Sequence, residues 1–160
     1  INEKEIIPLI EFANDNKIDL RFIELMPMNV AKNFKAVKEG DLKAIISKKY
    51  GALKQIDVFE GPAHYYQVEN LSIKIGFISA LSHKFCANCN RLRLTSTGIL
   101  KPCLHYNSGV NLNDLLKKNV TDEEILAIIK DTIYHKPKNH HLENEAFSQK
   151  EDKSMSLIGG

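Results

Sequence analysis

The chain has 160 residues, 43% apolar and 26% charged, with 22 Lys and Arg against 20 Asp and Glu. A globular chain of that length buries about 68–70% of its unfolded surface, and the composition is that of an ordinary folded protein, not a disordered or fibrous one. No apolar run approaches the ~20 residues that span a bilayer, and no secretory signal opens the chain.

The three cysteines all lie between 86 and 103, which argues against a disulfide framework and for a metal in a reducing compartment. The expected localisation is cytoplasmic. Net charge is only +2, but its distribution is uneven: between Glu69 and Asp114 no residue is acidic. That window of 44 positions would hold five or six acids at the chain average, and instead carries Lys74, Lys84, Arg91, Arg93 and Lys101 with His83 and His105. A basic surplus around thiols favours an anionic ligand or balances an anionic cluster.

In chain order, Asn2 and Glu5 have capping-box spacing, and Ile6, Ile10 and Ala13 follow at helical period, with Pro8 a point of kinking. IDLRFIELM (18–26) is apolar apart from Asp19, Arg21 and Glu24, which predicts a strand buried on both faces, as in parallel sheets. Arg21 and Glu24 fall on opposite faces and each needs a partner if buried. Helix then strand is half of an α/β repeat, so the sequence reads as truncated at its N-terminus, with partner strands lying elsewhere.

Residues 29–40 read as a loop, and 41–51 as a short helix capped by Asp41 and ended by Gly51. Strand-like runs at 53–60, 64–68 and 71–79, joined by close turns, predict an antiparallel meander. A second helix spans 121–137, with Thr121 as cap, Glu124 completing a capping box and Pro137 as terminator. Residues 138–154 are polar and predict an extended surface segment, in which His140 and His141 read as a solvated pair.

The thiol segment is CANCNRLRLTSTGILKPC (86–103). Arg91, Arg93 and Thr95 alternate with Leu92 and Leu94, so a strand from 89 places Cys89, Arg91 and Arg93 on one face. Thr95–Gly98 predicts a turn with Gly98 at positive φ, and folding back there brings Cys103 opposite Cys89 within a residue or two. Cys86, Cys89 and Cys103 then close around one point. Thiolates suit zinc, copper(I) and iron–sulfur clusters. With His105 the set makes a closed Cys3His zinc site; without it, three thiolates on a four-iron cluster leave one iron open.

FCANCNRLRLTSTGILKPCL (85–104), with its Cys-x2-Cys-x13-Cys spacing, resembles the C-terminal part of the GTP 3′,8-cyclase family (molybdenum cofactor biosynthesis protein A), which are radical S-adenosylmethionine lyases. RFIELMPM (21–28), GPAHYY (61–66) and the terminal Gly159-Gly160 are similar too. The likeness covers most of 1–106 and the last few residues, and is weak over 107–154.

The resemblance implies the end of an incomplete TIM-like barrel over 1–28, then an α+β domain over 29–160 whose antiparallel sheet carries a 4Fe–4S cluster. Cys86, Cys89 and Cys103 match the cluster ligands. Arg91, Leu92 and Arg93 match the GTP contacts, with guanidinium forks suited to phosphate. Met26 matches an S-adenosylmethionine contact, and Gly159 and Gly160 match a tail that reaches the active site.

The implied reaction converts GTP to (8S)-3′,8-cyclo-7,8-dihydroguanosine 5′-triphosphate in molybdenum cofactor biosynthesis. The expected partners are GTP, the missing N-terminal half and a second copy of the chain, with neither membrane nor nucleic acid. The family's N-terminal Cys-x3-Cys-x2-Cys is absent from this sequence, so the chain alone is expected to be inactive. Thr97 stands where the family often has an acid, and His105 where an apolar residue is usual. The alternative is a Cys3His zinc module with a basic, nucleic-acid-binding face.

Overall fold

The computed structural model describes residues 3–58, 60–142, 144, 151, 153 and 158. The chain divides into two compact units, Ile1–Met26 with Ala31–Phe85 and Pro27–Val30 with Cys86–Gly160. The sequence placed its boundary after 28. The structure places one between Phe85 and Cys86, because the strand near the start of the chain is hydrogen-bonded into the first unit's sheet.

In the first unit, α1 runs Ile6–Asp15 behind a 3₁₀ turn at Glu3–Glu5. Pro8 sits in its first turn, where a helix has no use for the missing N–H, and the α-helix begins only at Ile6. The proposed cap Asn2 lies outside the described residues. Glu5 is itself the N-cap residue and makes no side-chain cap bond. Ile6, Ile10 and Ala13, at spacings of four and three, are buried on one stripe.

The α2 helix spans Glu39–Tyr50, two residues earlier than its predicted start. Asp41 is therefore in the first turn and not the cap. Gly51 ends α2 at φ 91°, and a Cβ there would meet the Glu69 carboxylate. Leu42, Ile46 and Tyr50 form its buried stripe.

The strands are β1 (Leu20–Ile23), β2 (Leu53–Ile56), β3 (His64–Val68) and β4 (Lys74–Ile78), in sheet order β1-β4-β3-β2. β2–β3–β4 is the predicted antiparallel meander, with Tyr65 opposite Gly76 and Tyr66 opposite Ile75. β1 pairs parallel with β4, Leu20 with Ile75 through Ile23 with Ile78. The parallel reading is thus right, but a partner strand is in this chain and not elsewhere.

β1 is not buried on both faces. Leu20 and Phe22 pack against the core, while Arg21 is exposed and Ile23 is 65% exposed. Ile10, Ile46, Val68, Ile75 and Phe77 are the fully buried centre of this unit. Each contributes about 1.5–3 kcal/mol by leaving water, so this stripe outweighs any single cap.

All three charged residues of the 18–26 segment find partners within the unit, Asp19 with Lys74 at 3.1 Å. Arg21 pairs with Glu60 at 3.2 Å on the surface. Glu24 is buried and accepts the N–H groups of Leu81 and Ser82 at 2.7 and 2.9 Å and the Ser82 hydroxyl at 2.5 Å. These bonds fix the turn that leads into the cysteines.

The second unit holds β5 (Arg93–Leu94), β6 (Ile99–Lys101) and β7 (Val110–Asn111) as an antiparallel sheet in that order. Two helices follow, α3 (Leu112–Lys117) and α4 (Asp122–Tyr134). α4 carries the predicted capping box: Thr121 accepts from the Glu124 amide, and the Glu124 carboxylate accepts from the Thr121 amide.

The expected surface segment 138–154 is corrected at every described buried residue. His140 is 3% exposed, and Leu142 and Glu151 are buried with it. Only His141 of the histidine pair is solvated. No described helix is long and apolar enough to cross a membrane.

Candidate metal and nucleotide site

The hairpin is shorter than its sequence pattern. β5 covers only Arg93–Leu94, with Arg93 opposite Lys101 and Leu94 opposite Leu100. Residues 89–92 lie outside it, and Cys86–Asn88 forms a single 3₁₀ turn closed by the Cys89 amide on the Cys86 carbonyl. The turn itself is as predicted. The Gly98 amide donates to the Thr95 carbonyl at 2.9 Å with Gly98 at φ 79°. Extending the register of β5 and β6 sets Cys103 against Arg91, two positions from Cys89, so the fold-back is real although its strands are not continuous.

Leu92 and Leu94 are not the buried side of this strand. They are 38% and 61% exposed. A two-residue strand has no opposing layer to cover them, so alternation alone did not reveal their environment.

All three cysteines are free thiols and half-buried. Two have a backbone amide directed at sulfur: Arg91 N–H toward Cys89 and His105 N–H toward Cys103. Burial of Cys89 favours its neutral form, but the Arg91 amide and the Lys136 ammonium outweigh it and hold the thiol below the usual range. Lys136 Nζ stands 3.4 Å from the Cys89 sulfur. Cys103 behaves oppositely. Burial pushes it up, and the nearby Cys86 and Cys89 sulfurs push it further.

The three sulfurs therefore share one electrostatic neighbourhood, but they do not close around a single point. Among the described residues no group of three or more His, Cys, Asp or Glu side chains is spaced to hold a metal ion. Soft thiolates with amide donors at sulfur have the donor chemistry of an iron–sulfur centre. Three such sulfurs are the donor type that a cluster or another thiolate-bound metal would need.

His105 does not complete a Cys3His set. Its Nδ1 lies 3.2 Å from the Met28 sulfur, and its ring is edge-on to His140 at 5.0 Å. Burial first, then His140 and Arg93, push its pKa down to about 4, so the imidazole is neutral near pH 7.

The basic surplus is smaller than the sequence count. Lys74 pairs with Asp19 at 3.1 Å, His83 contacts Glu39 at 3.1 Å, and Lys101 turns inward to Glu151. Arg91 is exposed and Arg93 half-buried. Met26 lies in the first unit, half-buried beyond the end of β1. Gly159 and Gly160 lie outside the described residues.

Two side chains escaped the sequence reading, Lys136 and Glu151. Lys136 is 47 positions from Cys89, and no local pattern marks such a pair. Glu24 carried one usable signal, a carboxylate in an apolar run, which demands a partner.

The molecule is thus a mixed α/β protein that carries three free cysteines on and before a short hairpin. The chain belongs to the family described as Molybdenum Cofactor Synthesis C, which matches residues 18–142.

Three named relatives agree. A GTP 3′,8-cyclase of Clostridium perfringens (strain 13 / Type A) is 44% identical over 162 residues, covering 99% of this chain and 50% of that protein. A GTP 3′,8-cyclase of Syntrophomonas wolfei is 37% identical, again over 99% and 50%. Molybdenum cofactor biosynthesis protein 1 of Dictyostelium discoideum is 34% identical over 99% of this chain and 26% of its own length. The chain spans about half the length of the bacterial relatives it matches.

Proposed function

We propose that the chain is the substrate-holding, C-terminal portion of a GTP 3′,8-cyclase, and that it converts GTP to (8S)-3′,8-cyclo-7,8-dihydroguanosine 5′-triphosphate together with a radical-generating portion. The observation that carries this reading is the thiol loop. Three free, half-buried cysteines share one neighbourhood, two have amides directed at sulfur, and Arg91 and Arg93 follow directly in the chain.

Cys86, Cys89 and Cys103 would hold a 4Fe–4S cluster, which supplies a Lewis-acidic iron for the guanine when bound. The protein's own part is orientation. Guanidinium forks at 91 and 93 take triphosphate oxygens through paired, charge-assisted bonds, and the backbone at Leu92 fixes their spacing. Such anchoring places the ribose relative to the base and limits the approach of water.

Met26, after β1, is the S-adenosylmethionine contact in this reading. The helix–strand pair α1–β1 is the end of the barrel, supported by the parallel pairing of β1 and its position at a sheet edge. The Gly159-Gly160 tail is assigned to the same active site. The Cys3His zinc reading has no comparable support, because His105 faces Met28 and His140.

Titration calorimetry of anaerobically reconstituted protein with GTP tests the arginine assignment. Arg91→Ala with Arg93→Ala weakens binding by at least tenfold, since each charged hydrogen bond contributes about 1.5–3 kcal/mol. Unchanged affinity removes both arginines from the site.

A further inference from the structure

We propose that Lys136 is a positioning residue for the thiol loop, holding the Cys89 sulfur and the Arg91 peptide with one ammonium group. The proposal rests on the cluster reading above and adds a residue from outside the thiol motif, within the span that the family model matches.

Two contacts carry it. Lys136 Nζ donates to the Cys89 sulfur at 3.4 Å and to the Arg91 carbonyl at 2.6 Å. The amide of that same Arg91 residue is directed at the Cys89 sulfur. The lysine therefore grips the sulfur and also the peptide segment that grips the sulfur. Both acceptors lie on residues 89–91, which have no strand ladder to hold them.

Charge supports the same role. Lys136 is half-buried, and among the described residues no carboxylate pairs with it. An ammonium in that position is offset by negative charge on the ligand sulfur and by the carbonyl dipole. Its placement is built in: the Thr121–Glu124 box starts α4, His135 caps its end, and the Lys136 amide bonds the Ile133 carbonyl at 3.2 Å. Pro137 then fixes the chain direction. Hydrogen bonds at ligand sulfur set the redox potential and the retention of a cluster. Because Arg91 is gripped too, the nucleotide-binding segment is held by the same group.

The test compares wild type, Lys136→Met and Lys136→Arg after anaerobic reconstitution, with circular dichroism confirming the fold of each. Iron and sulfide content, midpoint potential and the rate of iron loss to a chelator are measured. In Lys136→Met the potential falls by about 60 mV, equivalent to a tenfold change for one electron, and iron is lost about tenfold faster. Lys136→Arg, which keeps the charge and the donors, stays near wild type. A folded Lys136→Met with wild-type potential and iron loss overturns the proposal, as does Lys136→Arg behaving like Lys136→Met. Wild type that takes up no iron and sulfide defeats the cluster reading itself, and this proposal with it.

Discussion

Lys101 illustrates how far a single residue can depart from its appearance in sequence. Counted as one of five basic residues around the thiols, it is buried instead, paired with Glu151 and donating to the Tyr106 carbonyl at 2.7 Å. Glu151 is buried as well, and its amide bonds the His105 carbonyl at 2.9 Å. Burial alone would raise the Glu151 carboxyl, but the hydrogen bond from Lys101, the Lys153 amide and the two lysine charges hold it below its usual value near 4.5. A carboxyl depressed on folding adds stability above its unfolded pKa and loses it as pH falls through the folded one. The contribution is therefore present at neutral pH and declines below about pH 4.5. Removing one partner of a buried pair costs about 3–5 kcal/mol, because the other charge stays buried. Glu151→Gln thus lowers the urea-unfolding free energy by that order at pH 7, while Lys101→Met with Glu151→Leu restores most of it. A Glu151→Gln protein as stable as wild type means that the pair is not buried in solution.

At the scale of elements, legibility followed how local the cause is. The capping box of α4, the Gly51 terminator and the β2–β3–β4 meander were all readable, since each depends on residues a few positions apart. β1 was readable as parallel but not as one-sided, because an apolar run does not show which of its faces the helices cover. β7 and α3 gave no sequence signal: two and six residues are too few to establish a period. The hairpin lies between these cases. Gly98 was readable as a positive-φ turn, whereas the two-residue length of β5 was not. A Cβ at Gly98 would meet the Asn113 side chain at 2.5 Å, in addition to the backbone penalty at φ 79°. Gly98→Ala therefore destabilises the protein by about 1–2 kcal/mol in denaturant unfolding, and reconstituted iron falls with it. Undiminished stability and iron content in Gly98→Ala would show that the turn does not organise the thiols.

Over the whole molecule, the residues proposed for the site are the conspicuous ones in the sequence. Cys86, Cys89 and Cys103 stand out because thiols are rare and their spacing is compact, and Arg91 and Arg93 because an acid-free window surrounds them. What the sequence could not provide was the support. Lys136 at Cys89, Glu24 under the preceding turn and Glu151 beneath the hairpin are long-range contacts between ordinary charged residues. The residues proposed to bear the chemistry are conspicuous in type or setting, and those that hold them are not.

The central claim is that three thiolates carry a cluster with an open iron. Iron and acid-labile sulfide counted per chain after anaerobic reconstitution test it most directly. The account predicts a brown protein with about four of each, reduced in Cys86→Ala, Cys89→Ala and Cys103→Ala. A colourless protein holding one tightly bound zinc contradicts it.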